Sequence, residues 1–279
     1  MDLEEKIKEE LKKSGYPLEV EVTLALESSE WNVLNQEGYI DPETKKWRTI
    51  DILATKSIEL SGSVYKKLHL SLAIECKKIE GKPWVFWVRD KKPLRIFSPL
   101  AASGLIKIES MPSIHPLHLK NLAGCFHYYS PDFSSKVAVI SYEPFKKNGK
   151  SIIFEAKTQV IKFLSYEREK TRNFLFWEKA RKVIEPQPKT TNLISIIYPL
   201  IIVAGDLFEM EFIDEELKLT RTDYIQYLTS FGTPSPESYV IDIMRIDFLR
   251  KYLDIIEENA QQFANKVSSI QSPSKAPSS

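Results

Sequence analysis

The chain has 279 residues, 43% apolar and 28% charged, with a net charge of +1. This is the composition of an ordinary globular protein, long enough for one large domain or a core with a sizeable extension. Its two cysteines cannot build a disulfide framework, no apolar run reaches the roughly 20 residues that cross a bilayer, and the acidic start MDLEEKIKEE does not resemble a secretion signal, so a soluble cytoplasmic protein is expected.

Leu3, Ile7 and Leu11 recur every four residues and predict a short amphipathic helix over 3–13, stopped at Ser14-Gly15. The segment PLEVEVTLALESSEW reads two ways: its apolar residues alternate as in a strand, yet Pro17 suits the first turn of a helix. Trp31–Gln36 reads as a strand and Asp41-Pro42 as a loop. Residues 48–55 (RTIDILAT) and 68–77 (LHLSLAIECK) are strand-like, joined through Ser61-Gly62-Ser63. Residues 93–130 are rich in breakers. VAVISY (137–142) is a strand, KKNGK a turn with an Asn-Gly signal, and about 152–183 has helical spacing. ISIIYPLIIVAG (194–205) suits a buried central strand, blemished by Pro199. SYVIDIM (238–244) is a further strand, followed by a helix over about 246–265 and a disordered tail from 271. Mixed strands and helices give an α/β or α+β class. One α/β domain is expected over 1–270, with an extension from about 206.

Charge is unevenly spread. Residues 1–43 carry 4 Lys/Arg against 12 Asp/Glu, and residues 205–279 carry 7 against 13. Residues 44–95 carry 13 against 5, and 96–204 carry 15 against 8. A basic middle between acidic ends suits a face that holds a polyanion, or simply a solvated lysine surface.

Three charged residues interrupt apolar strands: Asp51, Glu75 and Lys77. Side chains two apart on a strand share a face, so Glu75 and Lys77 project together, and Asp51 points away from Ile50 and Ile52. The midpoint of 51 and 75 is 63, inside the Ser-Gly-Ser turn. An antiparallel hairpin centred there makes Asp51 and Glu75 cross-strand neighbours, ~5 Å apart at Cβ. Two carboxylates so placed repel unless a cation lies between them, and Mg²⁺ or Mn²⁺ prefers such oxygen ligands. Lys77 alongside would orient or help deprotonate water, or stabilise charge on phosphorus. The plainer reading is a Lys–Glu pair on a solvated sheet face.

Asp51 followed by Glu75-Cys76-Lys77 resembles the signature of the PD-(D/E)xK nuclease superfamily, and Gly15-Tyr16-Pro17-Leu18-Glu19 resembles the upstream Gly-x-x-apolar-Glu of its Mrr-like branch. The resemblance covers residues 15–77. It implies a restriction-endonuclease-like core over about 15–205, with a central mixed β-sheet flanked by helices, a helix at 17–28, and a C-terminal α/β extension at about 206–270. It further implies Mg²⁺ (or Mn²⁺) held by Asp51 and Glu75, with Glu19 as a further ligand (Glu21 competing), and Lys77 completing the catalytic set. Ile50, not Pro, precedes Asp51. The substrate implied is nucleic acid, DNA first, with Gln36, Arg48 and Lys78 as candidate phosphate contacts beside the plainer reading of surface polarity. Acidic residues 205–279 are a candidate for self-association into a homodimer.

Other patterns compete. Asp132 with Glu155-Ala156-Lys157 spells the motif more literally, but Glu155 and Lys157 begin a helix, where residues two apart do not share a face. Trp84, Phe86 and Trp87 suit stacking on bases, although Trp84 and Phe86 fit a core better. His115, His118, Cys125 and His127 are spaced loosely like zinc ligands but lack paired cysteines. No glycine-rich phosphate loop occurs. The alternative to a nuclease is an inactive protein of the same fold that binds nucleic acid or a protein partner. A scaffold with a salt-bridged hairpin is the third reading.

Overall fold

A computed structural model describes residues 2–60, 66–79, 81–90, 106–109, 125–129, 135–145, 151–182, 193–231 and 237–270. The helices are α1 (Leu3–Lys13), α2 (Tyr16–Ser28), α3 (Ile152–Lys182) and α4 (Leu249–Ile270). The strands are β1 (Asn32–Ile40), β2 (Trp47–Glu59), β3 (Lys67–Lys78), β4 (Trp84–Asp90), β5 (Ile106–Glu109) and β6 (Lys136–Tyr142), then β7 (Leu193–Ala204), β8 (Leu207–Ile213), β9 (Glu216–Thr222), β10 (Tyr224–Phe231) and β11 (Glu237–Arg245). The protein is α/β, built on one mixed sheet. Its path is β1-β2-β3-β7-β11-β10-β6-β4-β8-β9, and β5 pairs separately with β7.

The ambiguous segment at 16–28 is helical. Leu18, Val22 and Leu26 recur every fourth residue and are buried, whereas Val20 and Leu24 of the same alternating run face solvent. A strand would have buried all five on one side. Pro17 sits in the first turn, where its missing N–H breaks no intrahelical bond. In α1 the predicted stripe of Leu3, Ile7 and Leu11 exists but is exposed, and α1 buries no residue.

Helices cover both faces of the sheet. On one side Leu18, Val22 and Leu26 of α2 and Tyr252, Ile256 and Phe263 of α4 pack with Ile52, Leu72, Ile74 and Ile202. On the other, Ala156, Val160 and Phe163 of α3 pack with Ile50, Ala73, Ile201 and Ile243. Burial on both faces explains the near-continuous apolar run of β7, interrupted only by the half-buried Ser195; the strand lies parallel to both β3 and β11. Pro199 is tolerated for a local reason. On that edge of β7, β5 pairs with residues 193–196 and β11 with 200–203, so Pro199 falls in the gap between two neighbours.

The segment after 205 is part of this sheet: β11 pairs with β7, and β8 pairs in parallel with β4. Its β8–β9 hairpin turns through Asp214 and Glu215, both left-handed at φ 51° and 66°, with no Asn-Gly to signal it. Between β7 and β8, Gly205 has φ +152°, and an added Cβ would stand 2.4 Å from Ile79 Cγ1. Gly205→Ala should therefore lower stability by about 1–3 kcal/mol, read as a drop in the urea midpoint. Among the described residues no helix is long and apolar enough to cross a membrane. The Ser61–Ser63 turn, the KKNGK turn, Asp132, His115 and His118 lie outside the described residues.

Candidate active site

The β2–β3 register fixes the centre of the site. Glu59 pairs with Lys67 and the ladder runs to Ile52 with Ile74, so Asp51 and Glu75 occupy the next level. Both acids come from apolar strands whose neighbours are pinned in the cores, which makes the placement hard to escape. Regular alternation fails at Asp51, however. Ile52 belongs to the core under α2, but Ile50 belongs to the core under α3. The expectation that both isoleucines share a side is thus corrected. Gln36, at the level of Asp51 on β1, has φ +53°, and no pair is formed between Asn35–Ile52 and Glu37–Ile50. The kink reverses the strand's facing, and Asp51 sits at the reversal.

Asp51 Oδ2 accepts the Cys76 backbone N–H at 2.8 Å, so the carboxylate takes the place of a ladder carbonyl. Glu75 is fully buried; its Oε1 accepts from Lys77 Nζ, and its Oε2 has no hydrogen-bond partner. Burial, then the nearby Asp51 charge, pushes the Glu75 carboxyl up to about 8, with Lys77 opposing and Glu19 adding. Burial also raises Asp51, against the Cys76 N–H and Lys77. Glu19, half-buried in the first turn of α2, is raised by burial and by Asp51, while a hydrogen bond with Gln36 and the charge of Lys77 act the other way. Burial disfavours the charged Lys77, yet Glu75 and Asp51 outweigh it and hold its pKa above the ordinary lysine value. Cys76 is a buried thiol raised by desolvation and by the three surrounding acids, unsuited to act as a nucleophile.

Glu19, Gln36, Asp51, Glu75 and Lys77 therefore share one electrostatic neighbourhood. Gln36 supports Glu19 there. Glu21, the competing acid on α2, is exposed. Arg48 belongs to a different constellation: its Nε donates to the buried Asp41 at 2.6 Å, and Lys162 of α3 donates to the same oxygen at 2.8 Å. Burial alone would raise Asp41, but those cations and the Thr44 N–H hold its carboxyl well below the usual range. Lys78 Nζ donates to the Lys12 carbonyl of α1. Trp84 and Phe86 are fully buried core residues, and Glu155 and Lys157 lie in α3.

A hard divalent cation needs oxygen donors, and this set is all carboxylate. The unpartnered, buried Oε2 of Glu75 is the observation that favours such an ion, because a lone buried acceptor is costly. As placed, no three His, Cys, Asp or Glu groups among the described residues gather tightly enough to enclose a metal. Two carboxylates with water and a substrate phosphate suffice for Mg²⁺, so the residues fit that mode of binding.

A second buried constellation escaped the sequence reading. Asp242 of β11 is fully buried and accepts from Tyr128 at 2.8 Å, Tyr252 at 2.6 Å and Tyr224 at 2.5 Å, with His127 Nε2 at 3.0 Å. It lies within a strand, SYVIDIM, just as Asp51 lies within RTIDILAT. The histidine that suggested zinc spacing is the Asp242 partner.

Set beside protein-family models, curated proteins and solved structures, the chain matches none.

Proposed function

We propose that the protein is a metal-dependent nuclease that hydrolyses phosphodiester bonds, with DNA as the first substrate to test and Mg²⁺ or Mn²⁺ as its ion. The carrying observation is Glu75: a fully buried carboxylate with one unpartnered oxygen, in the field of Asp51 and Glu19 and beside an ammonium. A restriction-endonuclease-like core is part of the same reading, supported by the run α2-β1-β2-β3, by β7 lying parallel to β3 after β4, β5, β6 and α3 have intervened, and by helices on both faces of a mixed sheet. Asp51 and Glu75 would hold the ion, with Glu19 as a further ligand. A bound divalent cation supplies Lewis-acid charge at the scissile phosphate.

The chain's own groups have separate tasks. Lys77, kept charged by its neighbours, acts as a donor that positions water or steadies negative charge on phosphorus, and is too basic to take a proton at neutral pH. The Cys76 N–H fixes one Asp51 oxygen, which orients the carboxylate. Gln36 holds Glu19 in turn.

The test is cleavage of plasmid DNA and of single-stranded RNA under Mg²⁺ and Mn²⁺. Asp51→Ala and Lys77→Ala should each lower the rate by at least about 100-fold, the scale at which one positioned charge acts in catalysis. Unchanged rates in both variants would discard the assignment. The second reading, an inactive protein of this fold that binds nucleic acid or a protein partner, is favoured by the closure of Lys77 onto Glu75. Oligonucleotide binding without cleavage under either ion would select it.

A further inference from the structure

The β1–β2 hairpin ends in Lys45-Lys46-Trp47-Arg48. Trp47 is 69% exposed, whereas Trp31 and Trp84 are 3% and 0% exposed. The cross-strand partner of Trp47, Ile40, is also exposed, at 41%, so the two form a contiguous open apolar patch.

The seat of the indole is built. Ile40 pairs with Trp47 and Gly38 with Thr49, so Gly38 lies diagonally across from the indole. A Cβ at Gly38 would stand 1.9 Å from Trp47 Cζ2, so the ring rests directly on backbone that carries no side chain. The other face of the hairpin carries Tyr39 and Ile50, both in the core under α3. The tip is anchored too: buried Asp41 accepts from Arg48 and Lys162 and from the backbone N–H groups of Glu43 (3.0 Å) and Thr44 (3.2 Å). Glu43, in the same turn, is paired with Lys162 at 3.0 Å. Lys45 and Lys46 are exposed, and no ion pair engages them among the described residues. The accessible charge beside the ring is therefore positive.

We propose that Trp47 with Lys45 and Lys46 forms a stacking platform for a single-stranded stretch of nucleic acid. The class of ligand rests on the nuclease reading above; the platform itself rests on the hairpin geometry. An aromatic face accepts any base, and flanking ammonium groups meet the phosphates on either side. Trp47 lies four residues from Asp51 along β2, about 13 Å at strand rise. That is roughly four stacked nucleotides at 3.4 Å each, so one strand can reach both places.

The experiment is fluorescence anisotropy of a fluorescein-labelled 20-nucleotide oligothymidylate with the full chain in EDTA. Trp47→Ala should weaken binding about 10- to 100-fold, and Trp47→Phe should restore most of it. Gly38→Ala keeps the indole but pushes it off its seat, and should also weaken binding. Lys45→Ala and Lys46→Ala should each flatten the dependence of log Kd on log salt by about 0.7. The platform is overturned if wild type does not bind the oligonucleotide, if Trp47→Ala binds within twofold of wild type, or if that variant changes only the sedimentation-equilibrium mass. If the wild type cuts under neither Mg²⁺ nor Mn²⁺ while Trp47→Ala loses binding, the nuclease reading fails and the platform stands.

Discussion

Glu75→Gln should make the metal-free protein more stable at alkaline pH while destroying metal-dependent cleavage. The folded carboxyl is raised to about 8 from an ordinary 4.5, so the folded state holds this proton more tightly than the unfolded chain. Its contribution to stability is then fully present below about 4.5 and is lost as pH rises through about 8. The linked free energy is at most about 5 kcal/mol, reduced in practice because Lys77 loses its partner in the variant. Urea melts of the two proteins at pH 5 and pH 9, in EDTA, should show a small difference at the lower pH and a gain for the variant at the higher. A flat wild-type profile across this range would mean that Glu75 is ionised throughout. On the proposed reading the same proton competes with the ion, so Mn²⁺ affinity measured by calorimetry should climb about tenfold per pH unit between 6 and 8, with a proton released on binding.

The largest loss of stability is expected at Asp242. Removing its carboxylate leaves three buried phenols and an imidazole without their common acceptor, and such a break costs about 3–5 kcal/mol. Asp242→Ala should lower the urea midpoint by a corresponding amount, whereas Tyr252→Phe, which removes one donor, should cost about 1.5–3 kcal/mol. The phenols report on the same cluster. Burial first, and then the Asp242 charge, raises Tyr128, Tyr224 and Tyr252 well above the ordinary value. Stability from these groups is present below about pH 10 and is lost above it. Absorbance at 295 nm should show them ionising only as the chain unfolds.

Asp51 and Asp242 show how far a sequence can be read here. Each is one acid in an apolar strand, so the signal is the same in both. For Asp51 the partner was local: the symmetry of the hairpin about residue 63 placed Glu75 opposite, and the observed register agrees. For Asp242 the partners come from residues 127–128, 224 and 252, and no spacing rule links them. Gln36 and Arg48 read alike in the sequence as candidate phosphate contacts, but a backbone kink at one and a buried acid beside the other separate their roles. That kink has no sequence signature, since Gln is an unfavourable residue at positive φ. Elements with strong local periods, such as α1 and β2, were legible. The strands β8 to β10 were not, because the turn at Asp214-Glu215 uses residues that seldom announce a left-handed pair.

The order of strands across the sheet has a kinetic consequence. The middle strand β7 needs β3 from far upstream and β11 from well downstream, and β4 stays an edge until β8 arrives beside it. A nascent chain cannot close this structure until residue 245 has been made, so the site on β2 and β3 must wait, half-assembled, for strands about 170 residues further along.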